Sequence, residues 1–442
     1  MTISSCLDQA TSNLSVPSDW NVRRVGTFAT KVGSGATPRG GKSVYVNTRV
    51  SHALIRSQHV FDRRFEIAGL AFIAKEHSNE LRNAEVRSGD ILLNITGDGI
   101  TFARACIVPD EILPACVNQH VSIIRVDQKA CVPGYLLAFL THPLTKRYIE
   151  SFNTGGSRRA ITKGHIESFE VPLPPLPIQR RIAGILSAYD ELIENNQRRI
   201  KILEEMARSL YREWFVLFRF PVHDKVKMVP SPLGPIPQGW EVNKLGDLTA
   251  ILNRGISPTY DDEGGDSTVI NQKCIRDQRL SLEPARRQSK PIPPDKRIRF
   301  GDVLINSTGV GTLGRVAQVY ENLEQCTVDT HVTIVRSKAD TDVDFFGCTL
   351  LLKQEDFERL GVGATGQTEL GRTAIGGIEL PVPPDSLQKR FGALAHPMRT
   401  AANTLSKQTQ NLRRTRDLLL PRLLSGAIEF ASAGTSATQE SA

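Results

Sequence analysis

Two kinds of apolar pattern alternate along the chain. Between residues 17 and 175, and again between 235 and 384, apolar residues come in short β-branched runs broken by glycine and turn residues, as in GDILLNITGDG at 89–99 and HVSIIRV at 120–126. Such runs read as strands bounded by turns, with short helical stretches such as Pro133 to Phe152 between them. From Ile182 the pattern changes. Apolar or seam positions fall at Ile182, Leu186, Tyr189, Ile193, Asn196, Ile200, Leu203, Ala207, Leu210, Trp214 and Leu217, in alternating steps of four and three. A 3.5-residue period is that of a helix packed along a partner helix, and Asn196 on the seam fixes register at a cost in stability. A second series runs Phe391, Leu394, Met398, Ala401, Leu405, Gln408, Leu412, Thr415 and Leu419. Pro397 inside it is expected to kink the helix or delay its start. The alternative, two amphipathic helices each packed on its own domain, suits so long a seam less well.

The two patterns recur because the chain is doubled. GDILLNITGDG at 89–99 aligns with GDVLINSTGVG at 301–311, an offset of 212. The offset is 211 where Arg104 meets Arg315 and His120 meets His331, and 209 where FEVPLPP at 169–175 meets IELPVPP at 378–384. Gln179-Arg180-Arg181 then faces Gln388-Lys389-Arg390, while Trp20, Gly26, Gly35 and Pro38 face Trp240, Gly246, Gly255 and Pro258 at an offset of 220. The expected fold is mixed α/β: two α/β domains, at 17–175 and 235–384, and two long antiparallel coiled-coil helices, at 176–220 and 385–430, in a pseudo-twofold internal repeat. Residues 1–16 would be an N-terminal extension, 221–234 a linker and 431–442 a disordered tail. The antiparallel pair would put the domains at opposite ends of a rigid spacer.

Composition narrows the class. Of 442 residues, 40% are apolar and 23% charged, which excludes wholesale disorder. Lys and Arg number 55 against 47 Asp and Glu, a net charge of +8, and the pI is about 9.1, a modest bias towards an acidic partner such as nucleic acid. Seven cysteines show no CxxC pair and no spacing that would hold a metal, so a reducing cytoplasm fits best. No signal-peptide pattern opens the sequence and no apolar run is long enough to span a membrane.

Several motifs invite chemistry that their context withholds. Residues 309–314 spell GVGTLG, but more strand and turn follow where a dinucleotide fingerprint needs a helix, so these glycines read as a tight turn. Gly41-Lys42-Ser43 lacks the leading glycine of a phosphate loop, since Ala36 stands there. His120 and His331 recur without a nucleophile arranged around them and read as structural. Catalytic and metal-binding residues are therefore expected to be absent. Basic clusters lead further: Arg39, Lys42, Arg56, Arg63 and Arg64, then Arg158, Arg159 and Lys163 in the first copy; Arg254, Lys273, Arg276, Arg286, Arg287 and Lys290, continuing to Lys296, Arg297 and Arg299, in the second. They occupy loop-like stretches where the copies diverge most. Lysine and arginine neutralise phosphates whatever the sequence, and arginine can take both acceptors of guanine.

The centre SLYREWFVLFRFPV followed by PLGPIPQGWEV, the C-terminal LLLPRLLSGAIEF, the Leu-Pro segments before Gln-Arg-Arg and Gln-Lys-Arg, and GSGATP near residue 35 together resemble the specificity subunits of type I restriction–modification systems. The resemblance implies two target-recognition domains, each reading one half of a bipartite, asymmetric site in double-stranded DNA. It implies helices that set the gap between half-sites and dock the methyltransferase subunits. Two modification subunits would bring S-adenosylmethionine, and two restriction subunits ATP-driven translocation, Mg and the nuclease; this non-catalytic chain would hold no cofactor. Two other classes stay open: a stand-alone DNA methyltransferase or nuclease with diverged motifs, and a scaffold that binds protein only.

Overall fold

A computed structural model describes residues 17–18, 20–153, 159–363 and 368–428. The N-terminal extension and the expected disordered tail lie outside them. The chain divides into two compact units: one combines residues up to Glu194 with those from Gln410, and the other is Asn195–Thr409.

In the first unit, the β-branched runs form two sheets. One orders the strands Ala105–Ile107, Ile91–Asn94, Val121–Val126 and Ala29–Ser34, all antiparallel. The other orders Ala71–Ile73, His52–Ile55, Ala115–Val117 and Glu85–Val86, with Ala115–Val117 parallel to His52–Ile55. Ile91–Asn94 is buried along its whole length, which explains an apolar run without alternation. The helical stretch expected from Pro133 to Phe152 is two helices, Pro133–Leu140 and Pro143–Ser151, because Pro143 starts a new helix capped by the His142 ring. Asn21–Arg24 pairs antiparallel with Glu170–Leu173, so the domain opens and closes on one ribbon. Ile182 and Leu186 then share a core with Trp20, Tyr135, Phe169 and, from the far end of the sequence, Leu420, Leu423 and Leu424.

The second unit repeats this topology, with three strands in place of four in its mixed sheet. Thr249–Arg254, Val332–Ser337, Val303–Asn306 and Val316–Gln318 form the antiparallel sheet, Ser267–Ile270 runs parallel to Cys326–Val328, and Glu241–Lys244 pairs with Glu379–Val382. An aromatic cluster from the central segment, including Tyr211, Trp214, Phe215, Phe220 and Trp240, packs on Phe345 and Phe391. A glycine at one aligned pair is dictated by crowding: a Cβ on Gly35 would lie 1.6 Å from the Val117 carbonyl oxygen, and one on Gly255 would lie 1.9 Å from that of Val328.

The seam series correspond to two helices, Leu176–Tyr211 and Asp385–Leu424, of 36 and 40 residues. At 1.5 Å per residue the first is roughly 54 Å long. Within the first unit Asp190 pairs with Arg416 while Ile182 and Leu186 meet Leu420 and Leu423; within the second, Ile200 meets Ala402 and Leu405 while Tyr211 meets Phe391. As numbers rise on one helix they fall on the other, so the helical segments paired within each unit are antiparallel.

Ile182, Leu186, Ile193, Asn196 and Ile200 are buried, and Tyr189, Leu203 and Leu210 half-buried. Near the end of this helix Tyr211 takes the buried place expected for Leu210, where the backbone widens into a π-helical turn, Arg212–Val216. On the second helix Leu405 is buried and Met398, Leu412 and Leu419 are half-buried. Leu394 is 44% exposed, which removes it from the seam, and Ala395 is buried instead. The buried positions Phe391, Ala395, Ala402, Leu405 and Thr409 step four before three, the reverse of the expected phase. Both phases share Phe391, Met398, Leu405 and Leu412, and the choice between them rests on alanines that carry little apolar signal. Pro397 lies in the interior of the continuous helix instead of delaying its start.

Candidate nucleic-acid interface

Each domain is braced by the same buried fork. Asp90 is fully buried and accepts from Arg125 Nε and Nη2 at 2.7 and 2.6 Å and from the Arg87 amide at 2.7 Å. Asp302, also fully buried, accepts from Arg336 at 2.7 Å twice and from the Arg299 amide at 2.8 Å. Two charge-assisted bonds in a planar fork fix the orientation of both side chains. Asn94 and Asn306 hold the ends of the following strands, donating to the carbonyls of Ser57 and Gln272 at 3.0 and 3.1 Å. The recurrent Asp, Asn and Arg of the two aligned strings are scaffold.

Beyond these strands, each domain turns a polar surface outward. Thr96 Oγ1 lies 2.6 Å from His120 Nδ1, and Thr308 Oγ1 2.7 Å from His331 Nδ1. The His120 and His331 amides donate to Asn118 and Asp329 side chains. Burial raises the Asp329 carboxyl above the usual carboxylate range. In the first domain Thr96–Gly97 pairs with Arg159–Ala160; in the second a bridge joins Thr308 to Glu369. The GVGTLG stretch is a turn with positive φ at Gly309, Gly311 and Gly314.

The basic candidates spread across these and neighbouring loops. Arg39 and Lys42 are exposed around the short turn Gly41–Val44, and among the described residues neither forms an ion pair. Arg64 is exposed beside Glu66 at 3.3 Å and stacks on Phe61. Arg159 pairs with Glu150 at 2.5 Å, and Lys163 with Glu167 at 3.5 Å. Arg158 lies outside the described residues. Lys273 and Arg276 are exposed; Arg286 pairs with Asp262 at 2.8 Å over the Tyr260 ring. The Arg286 bonds hold the Asp262 carboxyl below its usual range. Arg287 donates to the Gly265 carbonyl at 2.9 and 2.6 Å, and Lys290 to that of Ser257 at 3.2 Å. Arg254 bonds Glu369 at 2.7 Å.

Two of the predicted basic residues are engaged by the protein itself. Arg56 is half-buried, donates to the Gly69 carbonyl and stacks on Tyr45. Arg63 is turned inward, with 7% of its side chain exposed, and its Nε donates to Asp190 at 2.9 Å. A loop arginine that meets a half-buried carboxylate is held by the protein, which leaves Arg63 turned away from the surface.

The sequence profile of the type I restriction modification DNA specificity domain matches residues 17–205 and 237–412, one match over each copy of the repeat. The chain belongs to this specificity-domain family. Among similar proteins are two from Methanocaldococcus jannaschii. The putative type I restriction enzyme MjaX specificity subunit is 22% identical, covering 93% of this chain and 94% of its own. The type I restriction enzyme MjaIX specificity subunit is 24% identical, with coverage of 93% and 94%. The crystal structure of the type I restriction–modification S subunit from M. genitalium superposes with a TM-score of 0.61 at 16% identity, over 93% of this chain and 98% of that one, a likeness of fold.

Among the described residues no helix of this specificity chain is long and apolar enough to cross a membrane, and no group of three His, Cys, Asp or Glu side chains is placed to hold a metal. The six described cysteines are buried and free, and burial pushes the Cys116 and Cys326 thiols up to about 12. Sequence reasoning missed Glu369 and Arg372, which flank Arg254. The signal for Arg372 was present: it stands 209 residues after Lys163, a basic residue recurring across otherwise divergent loops.

Proposed function

We propose that this chain is the DNA-sequence specificity subunit of a type I restriction–modification complex. The observation that carries the reading is one scaffold used twice beneath different polar surfaces: the Asp–Arg fork, the Asn brace and the Thr–His pair recur, while most of the surrounding basic residues, Lys163 and Arg372 excepted, do not. Each domain, 17–175 and 235–384, reads one half of a bipartite, asymmetric site in double-stranded DNA. The remaining candidate contacts are Arg39, Lys42, Arg64, Arg158, Arg159 and Lys163 in one, and Arg254, Lys273, Arg276, Arg286, Arg287 and Lys290 in the other. The helices at 176–220 and 385–430 set the number of base pairs between half-sites and dock two methyltransferase subunits. Two restriction subunits complete a cytoplasmic assembly in which S-adenosylmethionine, ATP and Mg sit on the partners and this chain directs without catalysing.

Mapping methylated bases in host DNA with and without this chain tests the reading. A bipartite motif that vanishes with the chain is the expected result. Replacing residues 17–175 by the corresponding domain of another specificity subunit should change one half-site and leave the other; altered readout on both sides would refute modular reading. Methyl transfer to DNA by the purified chain alone would overturn the non-catalytic assignment.

A further inference from the structure

An open hollow in the second domain is lined by Arg254, Gly255, Lys296, Glu369 and Arg372. It gathers three cations and one carboxylate. Glu369 accepts from Arg254 at 2.7 Å and balances that charge. Arg372 Nη1 donates to the neutral Asn253 side chain at 3.0 Å, and Lys296 Nζ to the backbone carbonyl of Arg254, so neither bond cancels a charge. Among the described residues no carboxylate pairs with Lys296 or Arg372, so two positive charges face one space.

The hollow is also rigid. Its floor is backbone, because Gly255 has no room for a side chain against the Val328 carbonyl. Arg254 lies on a strand paired with Thr333, and the Lys296 carbonyl is held by Thr327 Oγ1 at 2.8 Å. The first domain has no equivalent charge set: the aligned positions are Ser34, Ala84 and Lys163, one cation in place of three. We infer that Arg254, Lys296 and Arg372 form a phosphate-binding hollow, peculiar to the second domain, that grips the sugar–phosphate backbone of duplex DNA. Arginine offers a planar fork and lysine a point charge, the two usual donors to phosphate oxygens. Glu369 positions Arg254 and moderates the pull. The inference rests on the chain being a DNA-binding protein.

The test uses the full chain and a fluorescein-labelled duplex of arbitrary sequence, since phosphate contacts do not depend on sequence. Binding is measured by anisotropy across a salt series. The double substitution Lys296→Met, Arg372→Gln should flatten the slope of log affinity against log salt by nearly two, about 0.9 for each lost contact, and weaken low-salt binding by roughly tenfold or more. Glu369→Gln should do the opposite and tighten low-salt binding several-fold, a gain that misfolding cannot imitate. A double variant with the wild-type slope overturns the hollow. Wild-type chain that shows no salt-dependent binding at all overturns the DNA-binding reading itself, which separates the two failures.

Discussion

The two units share a topology but solve one packing problem differently. In the first, the turn between Val60–Phe61 and Arg64–Phe65 sends Arg63 down to Asp190, which also accepts from Arg416 at 2.6 Å. Asp190 thereby ties a domain hairpin to two helices through one carboxylate. In the second, the matching turn between Ile275–Arg276 and Arg279–Leu280 presents Gln278, and the helix positions aligned with Asp190 and Arg416 are Arg399 and Ala207. The ion triad is gone, and a cavity lined by Ala207, Gln278, Leu280, Cys348 and Arg399 stands there. Arg399 turns to the buried Asp344 at 3.1 Å instead, beside His396 at 3.0 Å, and stacks on Tyr320. An exposed fork from Arg279 to Glu204 at 2.7 and 2.5 Å ties this hairpin to its helix. Duplicated scaffolds keep their sheets and drift at the joints between domain and helix, where polar networks can be exchanged for one another so long as each buried charge keeps a partner.

The sharpest way to break this comparison is Asp190→Ala, which leaves the enclosed Arg63 side chain without its carboxylate and Arg416 with the exposed Asp417 alone. It should destabilise the first unit by about 3–5 kcal/mol, read by urea unfolding with probes in each unit; a transition unchanged in the first unit would show that the triad is not its anchor. Asp90→Asn and Asp302→Asn should each cost about 2–4 kcal/mol, because both leave an arginine fork half made. Their expected equality tests whether the sheets are equivalent.

A pH series separates the units next. His142 caps Pro143–Ser151 in the first unit, and burial lowers its pKa from 6.5 to about 4, whereas Lys353 at the corresponding helix start makes no side-chain cap. A histidine whose folded value is depressed contributes stability above pH 6.5 that is lost as pH falls towards 4, on the order of 3 kcal/mol. His142→Asn keeps a good cap and should abolish that part of the acid sensitivity of the first unit alone. The smallest effect is expected from Ala207→Met, which reaches into the cavity of the second unit and should raise its stability by about 0.5–1 kcal/mol. A loss there would mean the space is already filled on average by its neighbours.

The repeat, the strands and the long helices were legible because they rest on periodicity and on strings such as GDILLN and GDVLIN, where burial on both faces forces an apolar run. The phase of the second helix was not, since Leu394 outweighs Ala395 in hydrophobicity although the packing buries the smaller residue. The site was half legible. Net charge and clustering point to Arg39 or Arg286, but whether an arginine faces solvent or a carboxylate depends on residues remote in sequence, as the 127 positions between Arg63 and Asp190 show. Arg372 recurs from Lys163 in the repeat, but its neighbours Arg254 and Lys296 are remote in sequence and join it only on folding.

The core of the first unit has a consequence for the order in which the molecule is made. Leu420, Leu423 and Leu424 complete a cluster begun by Trp20 and Val25, so this unit is assembled from the two ends of the chain. The second unit, Asn195–Thr409, is continuous. On the ribosome, where domains fold as their segments emerge, the second unit has everything it needs before synthesis ends. The first, although translated earlier, must wait with an open apolar face for the last helical turns to arrive. The half made first is the half finished last, and in that interval it is the one exposed to chaperones, proteases and wrong partners.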